Sequence, residues 1–132
     1  MRRRLLREVS GATALEFAMI APPLIMMLVG GLQLGWALHC AASVRWALET
    51  SARNLMIDPT ESASTLKSAM LSALSGRTNA TASALTVTIN QDTSNPAKTM
   101  LVATSVYSTT LVIPFVTNQP LTFTSVTSVP SP

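Results

Sequence analysis

The sequence has a single cysteine and a single histidine, and each scarcity removes a class of function. Cys40 has no second cysteine to pair with, so the chain cannot form an intrachain disulfide or a cysteine-based metal site. A small buried or interfacial side chain is the simplest interpretation of Cys40, and an interchain disulfide is the alternative. His39 has no carboxylate or nucleophile at a motif spacing, so neither a Ser-His-Asp triad nor a metal site is predicted. We therefore predict no enzymatic activity, no metal and no cofactor.

Charged residues are also scarce, at 11% of the 132 residues, and their excess is confined to the start of the chain. Residues 1–11 contain four arginines and one glutamate, and this +3 equals the formal net charge of the whole chain. The other charges cancel, so no basic patch remains to bind phosphates, and we predict no nucleic-acid partner. A short basic flank before an apolar segment instead indicates a cytoplasmic N-terminus and a membrane-anchored chain.

A long apolar run follows this basic flank. From Phe17 to Leu38 no residue is charged. A helix of this length covers about 33 Å, enough to cross a hydrocarbon core of about 30 Å. Glu16 lies at the start of this predicted single span, where an ionised side chain is costly. We therefore predict that Glu16 is functional and has a nearby partner.

Prolines and glycines interrupt the predicted span. Pro22 and Pro23 each lack an amide donor, so we predict that the helix kinks or loosens there. Gly31 and Gly35 have the four-residue spacing that lets two membrane helices approach closely. Both features favour packing against other protein helices, and a lone kinked anchor is the alternative.

The pattern of the remaining chain predicts an α+β fold. Apolar residues at three- and four-residue spacing extend the first helix over about 14–57, and Asp58 with Glu61 has the spacing of a capping box for a second helix. Alternating Thr and aliphatic residues then predict strands. The predicted organisation is a leader at 1–11, a membrane-spanning and assembly helix at 12–38, and an outer domain at 39–132 with an outer helix at 39–57, a short helix at 59–75 and a small antiparallel sheet of three or four strands within 84–129.

The residues around Gly11 form a known arrangement. Gly11 is followed by Ala-Thr-Ala-Leu-Glu-Phe, with an arginine-rich leader before it and an apolar helix after it. This arrangement resembles the processing site of type IV prepilins, and most of all the TadE-like minor pilins or pseudopilins of the tight-adherence (Tad/Flp) pilus. Gly11 matches the residue before the cut, Glu16 the glutamate near the new N-terminus, and Phe17 the aromatic residue after it. The resemblance covers 7–53, including Gln33, and is faint in the Thr-rich remainder.

The resemblance implies cleavage between Gly11 and Ala12 by a membrane-bound prepilin peptidase. The new α-amino group of Ala12 is a cation, and Glu16 of the same helix or of a neighbouring subunit neutralises it. The implied partners are the peptidase, other pilins, inner-membrane pilus assembly proteins and the membrane. The implied location is the bacterial inner membrane, with a single pass, a periplasmic C-terminal domain and later incorporation into the extracellular pilus for surface attachment. The fold implied is pilin-like.

Two other interpretations of the N-terminal region remain open. Arg2 to Arg7 approximates a twin-arginine export signal, although no Ser or Thr precedes the arginine pair and the apolar run exceeds a usual signal core of about 7–15 residues. The chain could also be a single-pass anchor whose outer domain binds a surface or partner unrelated to pili. The mature N-terminus distinguishes these interpretations.

Overall fold

The computed structural model describes residues 9–78, 80–94, 99–112 and 118–131, so predicted leader residues 1–8 lie outside it. Within these ranges three helices precede three strands. They are α1 (Val9–Ser51), α2 (Asn54–Ile57), α3 (Ala63–Leu74), β1 (Leu85–Asp92), β2 (Met100–Leu111) and β3 (Gln119–Pro130). The predicted α+β fold, with a long N-terminal helix, a short further helix and an antiparallel sheet, is confirmed.

Helix α1 is continuous over 43 residues, and its helical backbone runs through Pro22 and Pro23. It begins earlier than the sequence predicted, and it ends at Ser51 rather than continuing to Ile57. A turn after Ser51 separates it from α2, which places Leu55 in the core while Ile57 stays exposed. A kink at the two prolines stays a prediction.

Helix α3 begins later than predicted, because the Asp58 side chain is used locally. Its carboxylate accepts hydrogen bonds from the hydroxyl of Thr60 at 2.6 Å and from the amide of Thr60 at 3.0 Å. These two bonds, the hydroxyl first, lower the pKa of the Asp58 carboxyl. Ser62 caps the helix instead, since its hydroxyl oxygen accepts from the Thr65 amide at 3.2 Å. The predicted capping box from Asp58 is therefore wrong.

The three strands form one antiparallel sheet in the order β1-β2-β3. On the inner face Leu85 of β1 lies opposite Tyr107 of β2, and Tyr107 lies opposite Phe123 of β3. The centre of β2 presents two small buried residues, Ala103 and Ser105, to the helices. Small side chains at this position leave room for α1, which packs against β2, β3 and α3.

The core lies between the sheet and the outer half of α1. Buried positions recur along α1 at three- and four-residue spacing from Ala37 onward. The largest fully buried side chains are Val44, Leu48, Leu55, Leu66, Met70, Leu74 and Leu85. Helix α3 also packs against β1, so the helices cover one face of the sheet.

The inner half of α1 extends beyond this core. We call residues 13–32 the exposed segment, because none of them is buried. From Thr13 onward the helix is apolar and long enough to cross a membrane, and its most apolar window is 0% buried. At about 1.5 Å per residue the exposed segment covers about 30 Å, close to the thickness of a hydrocarbon core. These properties fit a single-pass membrane anchor.

Candidate processing site and assembly helix

The structure places all the predicted site residues on α1. They are Gly11, Ala12, Glu16, Phe17, Pro22, Pro23, Gly31 and Gly35. They are thus distributed along a single helix, and those whose burial the structure describes lie outside the buried core. This arrangement suits contacts along a helix better than it suits a catalytic pocket.

The bond between Gly11 and Ala12 lies within α1, which the structure describes from Val9 onward. A Cβ atom added at Gly11 would meet nothing within 4 Å. The folded chain therefore tolerates a larger residue at Gly11, and a block to cleavage would have to arise in the peptidase.

Glu16 lies four residues after Ala12, so the two residues occupy the same face of α1. Its side chain is exposed, and it forms no hydrogen bond or ion pair with any residue that the structure describes. The ion pair found in the described chain joins Arg45 to Glu49, at 2.9 Å and far from Glu16. Phe17, next to Glu16, is also exposed. Glu16 and Phe17 are therefore open to groups outside the described chain.

The glycines of the predicted packing motif also lie open. A Cβ atom added at Gly31 or Gly35 would meet nothing within 4 Å, so packing within this chain does not require glycine at either position. Pro22 and Pro23 are exposed as well. Contacts inside the described chain thus do not explain the choice of these four residues.

The sequence did not predict that the Gln33 side chain hydrogen-bonds to the backbone at the end of β2. Its side-chain oxygen accepts a hydrogen bond from the amide of Val112 at 2.7 Å, and its side-chain nitrogen donates to the carbonyl of Val112. Val112 directly follows β2, so one side chain satisfies both backbone groups at the end of the central strand. A lone amide in an apolar run was the available signal, because such a group is usually hydrogen-bonded. Gln33, which lies inside the predicted span, thus contacts the chain at the end of the sheet.

Cys40 and Tyr107 lie together where α1 crosses the sheet. Cys40 is a free, buried thiol, which agrees with the simplest interpretation of this residue. Tyr107 is the only tyrosine of the chain. Burial, followed by the neighbouring Cys40, raises the pKa of the Tyr107 hydroxyl above its ordinary value of 10.0. This pair belongs to the core, since both residues pack in the main apolar cluster.

Aromatic contacts mark the exposed side of α1 beyond the exposed segment. The rings of Trp36 and His39 lie 5.6 Å apart, so the only histidine contacts an aromatic ring. The Arg77 guanidinium lies 4.3 Å from the centre of the Trp46 ring, a cation–π contact that joins α1 to the turn after α3. Within the described ranges no three His, Cys, Asp or Glu residues are grouped to hold a metal ion.

Comparison with known protein families gives a match over α1. The family model of TadE-like proteins matches residues 11–53, which begin at the proposed processing site and end just after α1. Neither the curated proteins nor the solved structures contain a significant match to the chain. The matched residues include Gly11, Glu16, Phe17 and Gln33, whereas the sheet lies outside them. The predicted resemblance to TadE-like proteins is therefore confirmed over residues 11–53.

Proposed function

We propose that this chain is a minor pilin or pseudopilin that is processed after Gly11 and takes part in assembling a tight-adherence pilus for surface attachment. One observation carries the proposal. The TadE-like match includes the exposed segment of α1, and the only charged residue of that segment, Glu16, has no partner in the described chain. Such a helix needs a membrane before assembly and other helices after it. Its role is structural, and it needs no catalytic group.

The basic flank supports a specific orientation. Residues 1–11 carry the whole net charge, which favours a cytoplasmic N-terminus and a periplasmic outer domain in a single-pass inner-membrane protein. Cleavage after Gly11 by a prepilin peptidase would remove this charge. The subunit would then meet the inner-membrane assembly proteins and the other pilins through the exposed segment.

Cleavage would also create the partner of Glu16. The α-amino group of Ala12 lies one helical turn away, about 6 Å along the axis. Two opposite unit charges 4 Å apart attract each other by about 4 kcal/mol at an effective dielectric constant of about 20. We propose that Glu16 pairs with Ala12 of a neighbouring subunit, because a pair between subunits would also fix their axial register.

The open residues of α1 have roles in the same assembly. Gly31 and Gly35 would let a neighbouring helix approach closely, since no described residue occupies the space beside them. Phe17 would contribute apolar contact beside Glu16. Pro22 and Pro23 have no backbone N–H, so two helical hydrogen bonds are missing there. This would ease bending of α1 as the subunit leaves the membrane.

The mature N-terminus is the decisive measurement for processing. The chain is expressed in a host that has its prepilin peptidase, and mass spectrometry should find a mature chain that starts at Ala12. Gly11→Leu should abolish this product, whereas the control Gly31→Leu should be cleaved, because added side-chain atoms have open space at both positions. An intact leader on the wild-type chain would refute processing and favour an anchored binding domain unrelated to pili.

The role of Glu16 is tested separately in the assembled pilus. Glu16→Ala should be processed normally but should be lost from purified filaments, because the charge that pairs with the new N-terminus is absent. Glu49→Ala is the matched control, since Glu49 is an exposed glutamate on α1 whose partner, Arg45, lies in the same helix. Equal incorporation of both variants would refute the register argument and leave processing unaffected.

A further inference from the structure

Charges are absent from the end of the outer domain that adjoins the exposed segment. Residues 99–132 contain no charged side chain, and α1 has no Asp, Glu, Lys or Arg between Glu16 and Arg45. These two uncharged stretches meet where Gln33 contacts Val112. Arg45 lies about 18 Å from Gln33 along the helix axis. One end of the domain therefore has no permanent charge on α1, β2 or β3.

The charged groups of the sheet lie at its other end. In the register of β1 and β2, Asp92 lies opposite Met100, whereas Leu85 lies opposite Tyr107. Asp92, at the end of β1, thus lies at the end of the sheet away from Val112. In the described part of the outer domain, the charged residues of α1 and of the sheet thus lie away from the contact between Gln33 and Val112.

The uncharged end exposes apolar side chains. We call it the base and define it as Leu34, Trp36 and Leu38 of α1 together with Val112. Trp36 is 53% exposed and Val112 is 52% exposed, although both are large apolar residues. The base continues directly from the exposed segment, whose apolar side chains reach Leu32. The apolar surface therefore extends from the helix onto the sheet domain.

The contact of Gln33 with Val112 adds an independent argument. In water the amide and carbonyl of Val112 could bind solvent at little cost. In lipid each unsatisfied backbone group costs several kcal/mol, so irregular backbone there needs protein partners. Gln33 supplies both partners from a single side chain. This is the arrangement expected for a strand end that lies at a membrane surface.

We propose that the base rests on the lipid bilayer, with Val112 in contact with acyl chains beside α1 and Trp36 at the level of the headgroups. Tryptophan favours this level because its ring is apolar and its N–H is polar. The inference rests on the membrane anchoring in the proposed function, but not on processing or pilus assembly. The outer domain would then have a second lipid contact and a restricted tilt relative to the membrane.

Tryptophan quenching by brominated lipid tests this proposal. The chain has two tryptophans, Trp36 and Trp46. Trp46 lies about 15 Å farther along α1. The full chain, as single-tryptophan variants Trp46→Phe and Trp36→Phe, is placed in phosphatidylcholine vesicles brominated near the headgroups. Trp36 should lose most of its emission, and Trp46 should lose none. If Trp36 and Trp46 were quenched equally, or if neither were quenched, the placement of Trp36 at the level of the headgroups would be wrong.

Three tryptophan probes, each introduced singly into a chain without Trp36 and Trp46, distinguish lipid contact of the base from spanning by the exposed segment alone. Val112→Trp should be quenched by bromine in the acyl chains, and Val126→Trp should not, because Val126 pairs with Thr104 about 26 Å along β2 from Val112. Leu24→Trp reports whether the exposed segment spans the bilayer at all.

The pattern of quenching decides between the outcomes. Quenching of Leu24→Trp and Val112→Trp, without quenching of Val126→Trp, would support the proposal. Quenching of Leu24→Trp alone would overturn the lipid contact of the base and preserve the anchor. Loss of quenching at all three would overturn both. Protection of Val112→Trp that grows with protein density in the vesicles would assign the base to a second copy of the chain and refute the lipid contact.

Discussion

Replacing Gln33 tests the junction between α1 and the sheet. The side chain makes two hydrogen bonds to Val112, and each contributes about 0.5–1.5 kcal/mol net. Gln33→Ala should therefore destabilise the junction by about 1–3 kcal/mol. Since about 1.4 kcal/mol corresponds to a factor of ten, hydrogen exchange at the Val112 amide should accelerate by between about fivefold and about a hundredfold.

The assay is hydrogen–deuterium exchange of the full chain in vesicles, read from peptides that contain Val112. Gln33→Leu keeps the size of the side chain and removes both hydrogen bonds, so it should resemble Gln33→Ala. Ionised Gln33→Glu can accept from the Val112 amide but cannot donate to its carbonyl, so its effect should be intermediate. Gln91→Ala is the control, because Gln91 is an exposed glutamine on β1.

Two results would refute this reasoning. Unchanged exchange at Val112 in both Gln33→Ala and Gln33→Leu would show that the side chain does not hold the end of β2. Equal acceleration over the whole sheet would instead show that the mutation unfolds the domain globally. Only faster exchange confined to the junction supports the local role of Gln33.

Three further predictions concern the core. Leu48→Ala removes a fully buried side chain and should cost about 2–5 kcal/mol in denaturant unfolding, whereas Val126→Ala on the exposed face should change stability by about 0.5 kcal/mol or less. Ser105→Ala should leave stability unchanged or raise it by about 1 kcal/mol, because its buried hydroxyl has no hydrogen-bond partner in the described chain; a clear loss in the unfolding midpoint would contradict this. Stability should fall as pH rises above 10.0, since native Tyr107 retains a proton that the unfolded chain releases. Tyrosinate absorbance should titrate above this pH, and Cys40→Ala should lower its midpoint.

The long helix and the strands could be predicted because their signals are local. The apolar run and the period of the following residues predicted α1, and alternation of Thr with aliphatic residues predicted β1. The start of α3 could not be predicted in the same way, because Asp58 and Ser62 are both good capping residues. The choice depends on the hydrogen bonds that Asp58 makes with Thr60, which compete with capping.

The residues of the candidate site likewise differ in how far the sequence could predict them. Gly11, Ala12, Glu16 and Phe17 are neighbours in sequence, so their pattern was visible before the fold was known. The partner of Gln33 lies 79 residues away and depends on where β2 ends against α1. No spacing in the sequence specifies that meeting point, since it results from the packing of small residues such as Ser105 beneath the helix.

Glu16 and Gln33 present the same physical problem at opposite ends of the proposed span. They are the only charged or amide side chains between Ala14 and Leu38. A polar group at such a depth requires a partner, because water is scarce there. Gln33 finds its partner inside the chain, in the backbone of Val112. Glu16 finds none in the described chain, and the proposed pairing with a new N-terminus would supply one. This contrast favours assembly over passive anchoring, since an anchor alone would give no reason to keep an unpaired carboxylate in lipid.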